Sequence, residues 1–357
     1  MDAAVIVPEI SVIIPARNEE VSLSACLQSI VSQRGVPFEV IVVDDGSTDR
    51  TSEIAKSFTN VRLIQSGSMP QGWSGKNNAV CCGASVARGE WLLFTDADTV
   101  HLSGSLARSL TEAKKRNVDM LSYSPEQDIR SVCEKAVMPV IFAELAGTYC
   151  PQEVSDPNSP VAAANGQYIL VCRAAYDAVG GHASVAASVL EDVALASVMK
   201  RSGRRIFFRY GGDAVRTRMY RSYAQLREGW TKNLALLFPS PGRVALLRMG
   251  EFTLIVGSAL LAVSNGLSGR TAWAIVLAVL ATVMEVFLLL RIRKAHFSWE
   301  ATGLSLLGLP LFCYLLMRSQ RFHKRGSVTW KGRDYNINIK EQQANPSARP
   351  CLPQGQP

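Results

Sequence analysis

No Cys-x-x-Cys pair occurs among the eight cysteines of this chain, which stand at positions 26, 81, 82, 133, 150, 172, 313 and 351. Several lie among apolar residues in predicted helices, as reduced core thiols do, so a reducing cytoplasmic setting is expected and a zinc site is not. Gly-x-x-x-x-Gly-Lys-Ser/Thr is absent, which removes a P-loop, and no Gly-x-Gly-x-x-Gly follows a predicted strand, which disfavours a dinucleotide fold. There is no run of Lys and Arg interleaved with aromatics, so the net charge of +8 does not point to nucleic acid. An anionic lipid surface and a phosphorylated small molecule remain as partners. The first residues lack the basic and apolar regions of a signal peptide, and a catalytic domain starting there is expected to stay in the cytoplasm. No internal repeat is visible.

What the chain does have is length, 357 residues, and a hydrophobic content of 48%. Its first two thirds alternate strand and helix patterns with short connections. Strands are predicted at 10–14 (closed by Pro15), 39–43, 61–64, 91–94, 118–123, 169–171 and 206–209. Helices are predicted at 19–33, 51–58, 77–88, 105–116, 129–145 and 191–200. This alternation is the signature of an α/β fold with a doubly wound, mostly parallel sheet. The apolar stripe of 129–145 suits a core, or a surface touching lipid or a greasy acceptor. Residues 150–160 read as a loop. Residues 222–237 carry Leu226, Trp230, Leu234 and Leu237 on one face, as an interfacial helix does.

Composition then changes. Residues 252–267, 272–290 and 301–317 are almost uncharged, and about 18 apolar residues suffice to suggest a membrane span. Basic clusters at Arg291, Arg293 and Lys294 and at Arg318, Arg321, Lys324 and Arg325 both belong on the cytoplasmic side by the positive-inside rule. Three full spans would separate them, so the third run is expected to be re-entrant or interfacial; the alternative is a tail outside. The expected organisation is a catalytic domain over 1–238, a membrane region over 250–318, a basic cytoplasmic segment over 319–340 and a disordered Gln/Pro/Asn-rich tail over 341–357.

Three strand ends carry chemistry. Pro15-Ala16-Arg17-Asn18-Glu19 follows the first strand, where polar groups can meet a base and ribose. Asp44-Asp45-Gly46-Ser47-Thr48-Asp49 follows the second, with a glycine for the tight turn. Trp91-Leu92-Leu93-Phe94 runs into Thr95-Asp96-Ala97-Asp98. Ligands of open α/β sheets bind beyond the carboxyl ends of the strands, and two acids there suit Mg²⁺ or Mn²⁺ shared with phosphate. Gly72-Trp73-Ser74-Gly75-Lys76 sets a lysine at a helix start, in reach of a diphosphate, with Trp73 able to cap a sugar or base. Glu191-Asp192 opens another helix, either as a complement to its dipole or as a general base.

In this order, and with Asn165-Gly166-Gln167, these motifs resemble family 2 glycosyltransferases of the GT-A fold over residues 10–235. Met219-Tyr220-Arg221-Ser222, Gly229-Trp230-x-Lys232-Asn233 and Trp330-Lys331-Gly332-Arg333 are similar to a membrane-bound subgroup associated with carotenoids and hopanoids. The resemblance implies that Ala16, Glu19 and Asp45 hold the uridine of a nucleotide sugar, and that Lys76 and Asp96 face its ribose and diphosphate. It further implies that Asp98 binds the metal and that Asp192 is the base. Trp73, Gly166, Glu191, Trp230, Trp330 and Arg333 become candidates for donor or acceptor contacts. Processive synthases of the family show Gln-x-x-Arg-Trp, whereas Gln225 and Trp230 are spaced differently here, which argues for a single transfer. The expected activity is inverting transfer of one sugar to a hydroxyl of a lipid acceptor. The alternatives are a polyisoprenyl-phosphate acceptor and a non-catalytic membrane scaffold.

Overall fold

The computed structural model describes residues 7–325 and the backbone of 327–330 and 333–336. The strands, in chain order, are β1 (Ile10–Ala16), β2 (Phe38–Asp44), β3 (Val61–Gln65), β4 (Trp91–Phe94), β5 (Thr99–His101), β6 (Met120–Ser124), β7 (Glu126–Gln127), β8 (Ile169–Cys172), β9 (Ile206–Tyr210) and β10 (Val215–Thr217). Seven of them form one sheet in the order β3-β2-β1-β4-β8-β6-β9. All neighbours are parallel except β8, which runs against both β4 and β6. Beyond the rim, β5, β10 and β7 make a second, three-stranded sheet.

The strands are apolar on both faces because helices cover both. Ile10, Val12 and Ile14 point into a core with Leu23, Leu27 and Ile30 of the helix Leu23–Val31. Ile13 points the other way, against the helix Gly75–Val86. A Cβ built on Gly83 would lie 2.5 Å from Ile13, so only glycine lets that helix lie this close to β1. The expected strand end at Pro15 is exceeded: β1 continues beside β2 to Ala16, with Pro15 opposite Val43. Proline is tolerated there because pairing with β4 has already ended at Ile13.

The described residues divide into two compact units. One runs to Asp128 and resumes at Pro151–Met219; the other joins Ile129–Cys150 to the chain from Tyr220 onward. Sequence places 129–145 in the catalytic domain, whereas the helix Val132–Thr148 packs with the C-terminal helices. The reason is its apolar surface: Val137, Met138, Val140 and Ile141 are all buried, and Gly308 of the helix Trp299–Lys324 sits against the Ala136 backbone. The second unit also contains Tyr223–Asn233, a 3-10 turn Leu234–Leu237, and the long helices Pro241–Leu267 and Thr271–Arg293. Three of its helices, Pro241–Leu267, Thr271–Arg293 and Trp299–Lys324, are long and apolar enough to cross a membrane. In the loop expected at 150–160, Pro151–Ser155 forms a short helix.

Candidate active site at the sheet rim

β1 and β2 lead to β3 on one side, while β4 flanks β1 on the other, so connections diverge between β1 and β4. Such a switch point opens a crevice at the carboxyl ends of the strands. Ala16, Asp45 and Asp96 all emerge on this rim. Ala16 is buried, and its carbonyl accepts the Asp45 N–H at 2.9 Å. The Asp45 carboxylate accepts from Ser66 Oγ at 3.1 Å, and Arg17 donates to the Asp45 carbonyl at 2.7 Å. Glu19 receives the Ser22 hydroxyl at 2.6 Å, and its N–H donates to Thr51 at 2.8 Å. Asp44 serves the turn itself: it accepts from the Ser47 N–H at 2.9 Å, from Gln65 at 3.2 Å and from the Ser52 hydroxyl.

Lys76 is the hub. Its ammonium lies 2.8 Å from Asp96 Oδ1 and 2.7 Å from Glu191 Oε1. Asp192 is held by two backbone donors, the Gly166 N–H at 2.9 Å and the Val193 N–H at 2.8 Å. Gly166 lies under this group; a Cβ there would come within 3.1 Å of Lys76 Nζ and 3.4 Å of Asp192 Oδ2. Burial alone would favour a neutral Lys76, but Asp96, Glu191 and Asp192 hold its pKa well above that of an ordinary lysine. Burial, with repulsion from Glu191 and Glu19, raises Asp96 against the pull of Lys76. Burial and the adjacent Glu191 push Asp192 up to about 6.

Sequence reasoning missed the supports of this cluster. The buried Asn77 amide donates to the carbonyls of Val185 and Ala186, both at 2.9 Å, and of Ser188 at 3.2 Å. It thereby fastens the segment that leads into Glu191 and Asp192 to the helix that carries Lys76. Behind the acid turn, Thr95 donates to the Gln167 carbonyl at 2.8 Å and meets His101 Nε2 at 3.1 Å. With the Thr95 proton spent, His101 Nε2 must be the donor, and burial keeps that ring neutral with a pKa near 3. Gln167 donates to Thr217 at 3.1 Å, and the Thr217 hydroxyl reaches the Asp98 carbonyl at 3.4 Å. No spacing in the sequence signals contacts between positions so far apart.

Trp73 is only 8% exposed and packs in the interior of the first unit. Trp230 belongs to the second unit, where its indole N–H meets Met138 Sδ at 3.4 Å. Trp330 and Arg333 lie on two paired antiparallel strands, Ser327–Trp330 and Arg333–Asn336, but their side chains fall outside the described residues.

Residues 11–135 match the model of the family described as glycosyl transferase family 2. Over those residues the chain carries a family 2 glycosyltransferase domain. This glycosyltransferase is 28% identical, over 344 residues, to the 4,4'-diaponeurosporenoate glycosyltransferase of Staphylococcus aureus strain USA300, across 93% of this chain and 89% of that protein. The protein of that name from strain MRSA252 is 28% identical over 345 residues, with the same shares covered. Among solved structures, the glycosyltransferase superimposes on a mannosyltransferase from Pyrobaculum calidifontis in complex with GDP-Man and Mn²⁺. The TM-score is 0.51 at 17% identity, covering 89% of this chain and 87% of that one, a likeness of fold.

Proposed function

We propose that the rim binds a nucleotide diphosphate sugar, with UDP as carrier, and transfers one sugar with inversion to a hydroxyl of a hydrophobic acceptor. The observation that carries this reading is the convergence of Lys76, Asp96, Glu191 and Asp192 over Gly166 at the switch point. Ala16, Glu19 and Asp45 would hold the uridine, and Lys76 and Asp96 the ribose and diphosphate. Asp192, fixed by two N–H groups, would take the proton of the acceptor hydroxyl as it attacks the anomeric carbon. A positioned base contributes on the order of 10²–10⁴ in rate.

The residues suit a divalent cation. Asp96 and Asp98 are hard oxygen donors one residue apart, and Asp96 has one oxygen committed to Lys76. Among the described residues no three His, Cys, Asp or Glu side chains could hold a metal by themselves. Mg²⁺ and Mn²⁺ complete their shells with phosphate oxygens and water, so one or two protein carboxylates can hold them. Asp98 would hold the ion, which when bound neutralises the diphosphate leaving group. The apolar helices fit a membrane-bound enzyme with its catalytic unit in the cytoplasm, where nucleotide sugars are met.

The relatives' name favours a second acceptor. 4,4'-diaponeurosporenoate is a carotenoid acid, and a carboxylate needs no base to attack. With the purified full chain, Asp98→Asn should abolish metal-dependent consumption of UDP-sugar. Asp192→Asn should cut transfer to a hydroxyl lipid at least about 100-fold yet leave transfer to a carboxylate lipid within a few-fold. If wild-type protein consumes no donor with either lipid, the transferase reading fails. Lipid mass spectrometry of cells with and without the chain identifies the product.

A further inference from the structure

The three long helices differ in what surrounds them. In the apolar stretches of Pro241–Leu267 and Thr271–Arg293, 17% and 6% of residues are buried; in Trp299–Lys324 the share is 50%. The last helix is tied to neighbours at both ends. Glu300 pairs with Lys135 at 2.7 Å, Arg318 Nε donates to Thr231 at 3.0 Å, and Ser319 accepts the Ala235 N–H at 2.9 Å. Midway, a Cβ on Gly308 would lie 1.9 Å from the Ala136 carbonyl, so the helix Val132–Thr148 lies directly against it.

That neighbour cannot cross a bilayer. The chain enters it after Asp128 and leaves it before Pro151, and both flanks belong to the same compact unit, so both ends lie on one side. Besides the base of Pro241–Leu267, where Cys313 Sγ meets the Ala245 carbonyl at 3.3 Å, the last helix packs on Tyr223–Asn233, which exposes Arg227 and Glu228, charges that a hydrocarbon core would not accept. What the last helix leaves open is a narrow stripe marked by Trp299, Leu307 and Tyr314. Aromatic residues of this kind favour the headgroup layer.

The first two long helices form a hairpin through Ser268, Gly269 and Arg270. At its base, Arg248 lies 3.0 Å from Glu144 and 2.7 Å from Glu251, while Arg291 lies 3.4 Å and 2.8 Å from the same two carboxylates. Two guanidiniums and two carboxylates thus close a neutral square, and Glu144 anchors it to the non-crossing helix Val132–Thr148. From this square to the turn each leg runs about 24–30 Å at 1.5 Å per residue, close to the ~30 Å of a hydrocarbon core. The one charge between, Glu285, is about 9 Å along the leg from Arg291.

We infer that the chain crosses the membrane twice, through this hairpin alone, with the Glu144–Arg248–Glu251–Arg291 square at one surface and the Ser268–Arg270 turn at the other. The helix Trp299–Lys324 lies along the surface on the side of the square. Every basic cluster flanking the hairpin then shares one side, and Arg270 alone marks the far one. The inference does not depend on the reaction. Its test is accessibility of single added cysteines in the full chain, read above parent labelling, with a membrane-impermeant maleimide on intact cells and on inverted vesicles. Ser103→Cys, Lys294→Cys and Arg325→Cys should label from one side and Ser268→Cys only from the other. Labelling of positions 294 and 325 from opposite sides would overturn it, as would all four from one side. Arg293→Cys and Lys324→Cys repeat the readout if the first pair fails to accumulate.

Discussion

Asp192 lies where its environment resists its charge, yet two N–H groups point at it. In the proposed reaction it works ionised, and its pKa of about 6 lies above the ordinary 3.8, so the proton stays on until the pH passes 6. Transfer to a hydroxyl acceptor should therefore fall about tenfold per pH unit below 6 and level off above it, as a general base requires. Transfer to a carboxylate should show no such limb, and a pH profile of kcat/KM with both acceptors checks this. Gly166 gives a second expectation. Because its missing Cβ leaves only 3.1 Å to the Lys76 ammonium, Gly166→Ala must displace that group by a few tenths of an ångström. Misplacement on the 1 Å scale can cost about 10² in rate. The expected loss in kcat/KM for Gly166→Ala is ten- to a hundredfold with little change in melting temperature.

At the scale of elements, the segment before Glu191 is held by the Asn77 amide and by the Ser74 N–H, which donates to Ala186 at 2.9 Å. Asn77→Ala leaves the Ser188 carbonyl without its amide donor, while the Ser188 and Ser74 N–H groups still serve Val185 and Ala186, and a buried polar group so stranded costs about 1–3 kcal/mol. The variant should lose stability on that order in denaturant titration and become sensitive to protease between 185 and 190. The contrast with the acid turn shows what a sequence can carry. The rim position of Asp96 was legible because an apolar strand runs straight into it and ligands of open sheets bind beyond strand ends. The salt bridge from Lys76 to Glu191 was not, since nothing local ties residues 115 positions apart. Trp73 reads as a sugar or base cap from its glycine-rich loop, whereas how deeply its indole is buried is decided by tertiary packing. The helix Val132–Thr148 was seen as a helix and its partner was not, because an apolar stripe does not name the surface it meets. The long helix Pro241–Leu267 starts well before its apolar run, since Arg243 and Arg248 mask the pattern.

For the whole molecule, the charged square at the hairpin base is a site of high stakes. Removing one partner of a buried ion pair costs about 3–5 kcal/mol, whereas replacing a whole set by apolar groups can be neutral. Glu144→Ala should thus lower the melting temperature in detergent by several degrees, more than the exposed Glu20→Ala at another ion pair. The rim offers a different lesson in charge. Around Lys76 stand Asp96, Glu191 and Asp192, in a chain whose net charge is +8. A net positive chain attracts a nucleotide diphosphate at long range, and a cation bound with it would offset the acids around Lys76. With the proposed metal site, the donor is expected to enter as its metal complex or after the ion. Calorimetric titration of UDP should show weak binding in EDTA and at least tenfold tighter binding with Mn²⁺, and Asp98→Asn should erase most of that difference.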